Sequence, residues 1–441
     1  MASAVCVNDV SRIVPKDHPA DHAAMFLCNM DQRLGFYVRN LFFYAPESGK
    51  LDTDRLKSSL AELLDSYHFW AGRLRFNHSG RMEIVCSNAG ALFALASSSL
   101  SATADHFDDF FFLDEDKITA LEDLPLLTIQ VSVTGYVTHL LGDDGYAIGM
   151  LIHHTLADAI AGMTFLLNFA SVNRGDGLYM APNGDRTRLR ARDPPRVAFQ
   201  HREFAKQTDH GSSRFTLTQE SVLSSESRRR KAPKKSRQTF AFTSARLLEL
   251  KQAVLDDGTL PGCSTFEALA AFIWRAHALS LPGKSSSDVL RLRFMVDTRS
   301  VLEPPLGQNF CGNAAYGAFA ELTLANLREL PLSSITARVQ EAKRRVSNEY
   351  VRSGWGYLEL HPDAWYHHDC ETMINAWPRL MRESLELDFG WGKPRRVEYP
   401  LDPRNSSVIF FPLISDGIQV SVCLDSISLA TFEKLALISK S

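Results

Sequence analysis

His154-Thr155-Leu156-Ala157-Asp158 sets an imidazole and a carboxylate four positions apart, with His153 immediately before them. Imidazole has an unperturbed pKa near neutrality, so His154 is suited to taking a proton from an incoming hydroxyl or amine. The HxxxD string is weak by itself. A chain with 14 histidines is expected to show about one by chance, and His139 to Asp143 supplies a second. We assign His139, on the rim of a predicted hairpin, to that chance match. Asp388-Phe389-Gly390-Trp391-Gly392 is far more specific. Five specified residues recur by accident with a probability on the order of one in ten thousand. Its glycines mark a loop where the backbone bends sharply. Covalent catalysis is not indicated, because there is no GxSxG and no cysteine beside a base in sequence. Gly354-Trp355-Gly356 lacks the third glycine and the preceding strand of a dinucleotide fingerprint.

The elements that must position these residues follow from periodicity. Alternation from Phe36 to Phe43 predicts a strand, and helical spacing from Leu51 to Leu64 predicts a helix. Leu127 to Val133 reads as a strand, Gly142 to Gly145 as a turn, and Tyr146 to Ile152 as an apolar strand delivering His153 and His154 at its end. Beyond Asp158, the spacing of Ile160, Met163, Leu166, Leu167 and Phe169 predicts a helix. The histidines therefore sit on a strand-to-helix turn. Phe240 to Phe242 predicts a strand, Thr243 or Ser244 a helix N-cap, and Ser264 to Glu267 a capping box opening a helix through Trp274.

At 441 residues the chain suits two domains. Residues 183–237 are polar and rich in Ser and Arg, ending in the basic run Arg228 to Arg237. We expect an N-terminal domain over 1–182, a crossover linker over 183–237 and a C-terminal domain over 238–441. The expected fold is α/β, with two similar mixed-sheet domains. A net charge of -3 offers nucleic acid no attraction, and no apolar run approaches a membrane span. The seven scattered cysteines contain no CxxC, so neither disulfides nor a zinc site is expected. The N-terminal residues lack signal-peptide character, and a cytoplasmic location is expected.

HxxxD in the first half with DFGWG near the end resembles the plant BAHD acyltransferases, which move an acyl group from coenzyme A to an alcohol or amine. The resemblance runs nearly end to end. Leu27-Cys28-Asn29-Met30-Asp31-Gln32, Ala71-Gly72-Arg73-Leu74, Glu267-Ala268-Leu269 with Trp274-Arg275, and Asn309-Phe310-Cys311-Gly312-Asn313 are similar to further family strings. Ala159 stands where the family usually has glycine. The resemblance implies a fold of the coenzyme A-dependent acyltransferase type, with His154 as catalytic base. It implies that Asp158 turns away from the histidine to pair with Arg299. Asp388, Gly390, Trp391 and Gly392 would then support the fold and the coenzyme A channel, an oxyanion contact from Trp391 being the lesser alternative. Coenzyme A thioester would be a co-substrate, with no permanently bound cofactor and no metal. A monomer is expected, with His154 midway along a channel between the domains.

Within the family, the branch that acylates ω-hydroxy fatty acids and fatty alcohols for suberin, cutin and waxes is similar at Val38-Arg39, at Asp185-Arg186-Thr187, and at Trp377-Pro378-Arg379-Leu380. The candidate acceptor pocket is Val38, Asn40, Phe42, Asn375 and Trp377. The shikimate branch has Thr and Ser where Val38 and Asn40 stand, and a carboxylate-clamping arginine near Pro362; here no Lys or Arg occurs between Ser353 and Pro378. The donor expected is a hydroxycinnamoyl thioester and the acceptor a long-chain hydroxylated aliphatic. Glu359, His361, Asp363 and the run His367 to Glu371 keep a polyamine acceptor open, whereas a ligand-binding pseudoenzyme is disfavoured by the intact His154.

Overall fold

A computed structural model of the chain describes residues 5–44, 51–98, 111, 113, 118, 120–134, 145–206, 236–366, 372–399, 407–413 and 416–437. His139, Asp143, the predicted turn before Gly145, the run His367 to Glu371 and residues 228–235 of the basic run lie outside them.

Alternating apolar residues build two six-stranded mixed sheets. The first runs, in spatial order, Val5–Ile13, Ala91–Ser98, Leu127–Thr134, Tyr146–His153, Tyr37–Tyr44 and Arg396–Glu398. The second runs Ser236–Thr243, Gly417–Leu424, Ser407–Pro412, Thr372–Ala376, Val289–Asp297 and Ala315–Thr323. Each has its own core. Tyr146–His153 lies inside the first sheet, antiparallel to both neighbours. All eight of its residues are buried, as its continuous apolar run requires of a strand covered on both faces.

Helices Thr53–Ser66 and Ala159–Arg174 cover this sheet through Leu56, Leu60, Leu63, Phe165, Leu166 and Phe169. The predicted caps form. Thr243 Oγ1 accepts from the Arg246 amide at 3.3 Å and starts helix Ser244–Leu255. Ser264 and Glu267 make the reciprocal capping box, and its helix continues past Trp274 to Ser280 because the apolar face does.

Packing does not follow chain order in two places. Leu387, Phe389 and Trp391 belong to the core of the first sheet, and Arg396–Glu398 pairs with Tyr37–Tyr44. A segment late in the chain thus completes the sheet of the first half. The opening of the polar crossover is also built into the fold. Asn183 bridges Phe310, Arg186 is 2 % exposed, and Phe204–Lys206 pairs with Ala364–Tyr366. Arg237 lies within strand Ser236–Thr243, its Nε 2.8 Å from Ser421 Oγ. No helix among the described residues is long and apolar enough to cross a membrane.

Candidate active site

The strand carrying the histidines ends in a tight turn. The His153 amide donates to Leu126 O, the His154 amide to Phe36 O at 2.8 Å, and the Leu156 amide to His153 O. His153 is 1 % exposed, with Nδ1 2.7 Å from Thr155 Oγ1 and its ring edge-on to Tyr37. His154 is only partly buried. Its ring stands edge-on to Phe36, whose side chain is exposed. The two histidines are thereby separated into a core residue and an accessible one.

Asp158 starts helix Ala159–Arg174 by accepting from the Ala161 amide at 3.0 Å. Ala159 takes the first helical position, a conformation alanine favours, so the family's glycine is not needed there. Both Asp158 oxygens face Arg299: Nη2 to Oδ1 and Nη1 to Oδ2 are each 2.9 Å. The Ala314 amide adds a second donor to Oδ2 at 2.9 Å. Arg299 has no exposed surface and also reaches Asp297, Phe310 O and Gly312 O. Burial pulls its guanidinium down, but the carboxylates of Asp158 and Asp297 outweigh that and hold it above the usual value. Both terminal nitrogens of the guanidinium and both oxygens of Asp158 are thus hydrogen-bonded, which offsets the cost of burying the pair.

Two more residues grip the turn. Asn313 Nδ2 donates to His154 O at 2.8 Å, to Thr155 O at 3.3 Å and to Asp31 Oδ1 at 2.8 Å. Arg186 Nη2 reaches Leu156 O at 2.5 Å, and its Nε lies 3.5 Å from Asp31 Oδ2. Burial raises the Asp31 pKa, opposed by Arg186, Asn313 and Cys28. Carbonyls 153, 154, 155 and 156 all accept hydrogen bonds, so the loop between strand and helix has little freedom. Burial lowers the His154 pKa below the ordinary histidine value, against the raising pull of its own backbone, Asp158, Asn313 and Asp31. A neutral imidazole at physiological pH is the state a base requires.

The sequence strings containing Asp31, Arg186 and Asn313 are similar to family strings, but nothing in their spacing joins positions 31, 186 and 313. Arg186 and Asp31 lie among other polar residues in sequence, so nothing local marks them as buried partners of the turn.

DFGWG lies at the other end of the same strand. Asp388 Oδ1 accepts from the Gly390 and Gly392 amides at 2.7 and 3.0 Å, and both glycines have φ near +105°. Side chains resist that conformation. Trp391 stacks on Phe389 and meets Tyr44 and Tyr146 edge-on. Eight residue steps of extended strand, from Tyr146 to His154, span about 26 Å. That distance keeps the indole away from chemistry at the imidazole.

Val38, Asn40 and Phe42 share one face of their strand by alternation. Val38 is partly buried, Asn40 is 8 % exposed with an unpartnered Oδ1, and Phe42 has no exposed surface. Phe42 is therefore a core residue in this state. Trp377 packs against Tyr399 and Phe411, while Asn375 lies in strand Thr372–Ala376 opposite Ile409. The place near Pro362 does receive a cation, from a distant part of the chain. Arg33 donates to Pro362 O, Ala364 O and Asn29 O, is 5 % exposed, and burial lowers its pKa to about 10. Those carbonyls already use it. Glu359 is likewise engaged, with Arg81 and Asn29.

A cavity of about 400 Å³ opens elsewhere, lined by Phe199, His201, Arg202, Phe204, Arg291 and Tyr357 among others. At its wall His201 lies 2.8 Å from both Glu203 Oε1 and Ser353 Oγ. This has the outline of a serine relay. Yet Ser353 Oγ accepts from the Ala198 and Phe199 amides and is 1 % exposed, so no lone pair remains for attack. The group clamps the crossover onto helix Asn348–Leu360. Among the described residues no group of three or more His, Cys, Asp or Glu is placed to hold a metal ion.

The Transferase family model matches residues 4–436. Acyltransferase GLAUCE of Arabidopsis thaliana is 30% identical over 453 residues, covering 97% of this chain and 94% of its own. Omega-hydroxypalmitate O-feruloyl transferase of Arabidopsis thaliana is 30% identical, covering 84% and 78%. Shikimate O-hydroxycinnamoyltransferase of Nicotiana tabacum is 29% identical, covering 81% and 82%. Among solved structures, vinorine synthase superimposes with a TM-score of 0.70 at 20% identity, covering 99% and 98%.

Proposed function

The chain belongs to the Transferase family and is an acyltransferase, and on that premise we propose that it moves a hydroxycinnamoyl group from coenzyme A to the hydroxyl of a long-chain aliphatic acceptor. The observation that carries this reading is the placement of His154, a partly exposed imidazole directly after a buried strand, on a turn held at four successive carbonyls. His154 takes the proton of the acceptor hydroxyl. The oxygen attacks the thioester carbonyl, forming the new carbon–oxygen bond. Collapse of the tetrahedral intermediate breaks the carbon–sulfur bond, and the imidazolium returns the proton to the coenzyme A thiolate. Asp158 and Arg299 hold the turn and take no part in proton transfer. Asp388, Gly390, Trp391 and Gly392 support the far end of the sheet.

Identity near 30% is shared with relatives named for ω-hydroxypalmitate and for shikimate, so the acceptor is argued from residues. Val38 presents an apolar surface on the strand next to His154. Arg33 is saturated by carbonyls and gives an anionic acceptor no partner. A desolvated carboxylate without a partner binds poorly. The polyamine reading loses Glu359, already bonded to Arg81. A cytoplasmic monomer completes the proposal. The test is a donor-by-acceptor screen with mass detection, using feruloyl-, caffeoyl- and coumaroyl-CoA. Esters of hexadecanol or 16-hydroxypalmitate are expected. Exclusive turnover of shikimate or spermidine would replace this acceptor.

A further inference from the structure

We propose that Asn313 is the positioning residue of His154, its Nδ2 holding the carbonyls of the turn while its Oδ1 accepts the Nδ1 proton of the imidazole, so that Nε2 is presented as the base. The inference rests on the reading of His154 as base. Two unsatisfied atoms motivate it. His154 Nδ1 is buried without a hydrogen-bond partner among the described residues, and so is Asn313 Oδ1. The side chains that carry them are already joined, because Asn313 Nδ2 lies 2.8 Å from the His154 carbonyl.

The orientation of the amide is determined by its surroundings. Nδ2 faces Asp31 Oδ1, His154 O and Thr155 O. Both carbonyls are acceptors only, so the donor end of the amide must face them and Oδ1 must face the other way. Asp158 cannot serve instead. Each of its oxygens already accepts two donors: Ala161 and Arg299 on Oδ1, Arg299 and Ala314 on Oδ2. Against burial, which lowers it, the proton affinity of the ring is raised by the histidine's own backbone, by the Asp158 charge, by the hydrogen bond to Asn313 and by the Asp31 charge. A bond of this kind is commonly long without substrate and tightens in the reacting complex. Asp31 in turn is held by the Cys28 amide at 2.9 Å, which anchors the far side of Asn313.

The experiment compares wild type, Asn313→Ala and His154→Ala by steady-state kinetics across pH, with 15N NMR of histidine-labelled protein. Asn313→Ala is expected to lower kcat about 10- to 100-fold, the size seen for partners that orient a functional histidine, with KM for both substrates nearly unchanged. The acid limb of its pH profile should move to lower pH, because a group that raises the ring's proton affinity has been removed. The signal lost in His154→Ala should show the Nδ1–H tautomer in wild type. A merely structural asparagine would lower Tm and leave the acid limb in place. That result, an unchanged kcat, or an Nε2–H tautomer in wild type would overturn the proposal. If Asn313→Ala does not fold, the wild-type tautomer decides. An active His154→Ala would instead remove the base reading itself, whereas an inactive His154→Ala beside a wild-type-like Asn313→Ala removes only the role of Asn313.

Discussion

Arg299 grips Asp158 with both ends of its guanidinium, at 2.9 Å each, and this pair joins the strand-to-helix turn of the first sheet to the loop leaving strand Val289–Asp297 of the second. The HxxxD carboxylate is thereby spent on architecture. Its four acceptor positions are filled, and His154 must be oriented by something else.

Asp158→Ala and Arg299→Ala should therefore each lose stability. Removing one partner of a buried, bidentate pair costs about 3–5 kcal/mol because the other charge remains buried. Thermal melting is the check: both variants should melt well below wild type, and an unchanged Tm in both would refute the clasp.

The pH profile of kcat/KM should carry an acid limb below pH 6.5. A base acts when neutral; burial lowers the His154 pKa, so the pH at which half the imidazole is protonated moves down from its ordinary value. Rate-pH profiles in non-interacting buffers measure this. A limb above pH 7 would mean a raised pKa and a different environment for the ring.

Trp391→Ala should act on folding. Its indole is 5 % exposed and packed among Phe389, Tyr44 and Tyr146, and truncating a buried Trp costs about 3–5 kcal/mol. Below its melting temperature the variant should keep near-normal kcat. A kcat loss of the order of 100-fold with unchanged melting would identify an oxyanion contact instead.

Much of this was legible in the chain itself. The strand ending at His153, the turn, the helix from Ala159 and the caps at Thr243 and Ser264 follow from periodicity and local hydrogen bonding, which act within a few residues. Contacts between Asp31, Arg186 and Asn313 were not, since they depend on how two sheets meet. The same limit hid Arg33 beside Pro362: a search for cations within 353–378 cannot see one supplied from position 33. It also placed DFGWG with the second half of the chain, although its aromatic rings complete the first core.

Acceptor preference should climb with chain length. Each buried methylene contributes about 0.8 kcal/mol, close to fourfold in kcat/KM until the pocket is filled. A series of 1-alkanols or ω-hydroxy acids with feruloyl-CoA measures the slope; a flat series would show that no apolar channel receives the chain.

The most direct test is the turnover of His154→Ala. Loss of a general base typically lowers the rate by about 10²–10⁴-fold, and His154 is a partly exposed side chain outside the buried pair. The variant should therefore melt like wild type and retain at most about one hundredth of its kcat. Near-wild-type turnover in a folded His154→Ala, with His153→Ala or His139→Ala inactive, would contradict the assignment of the base.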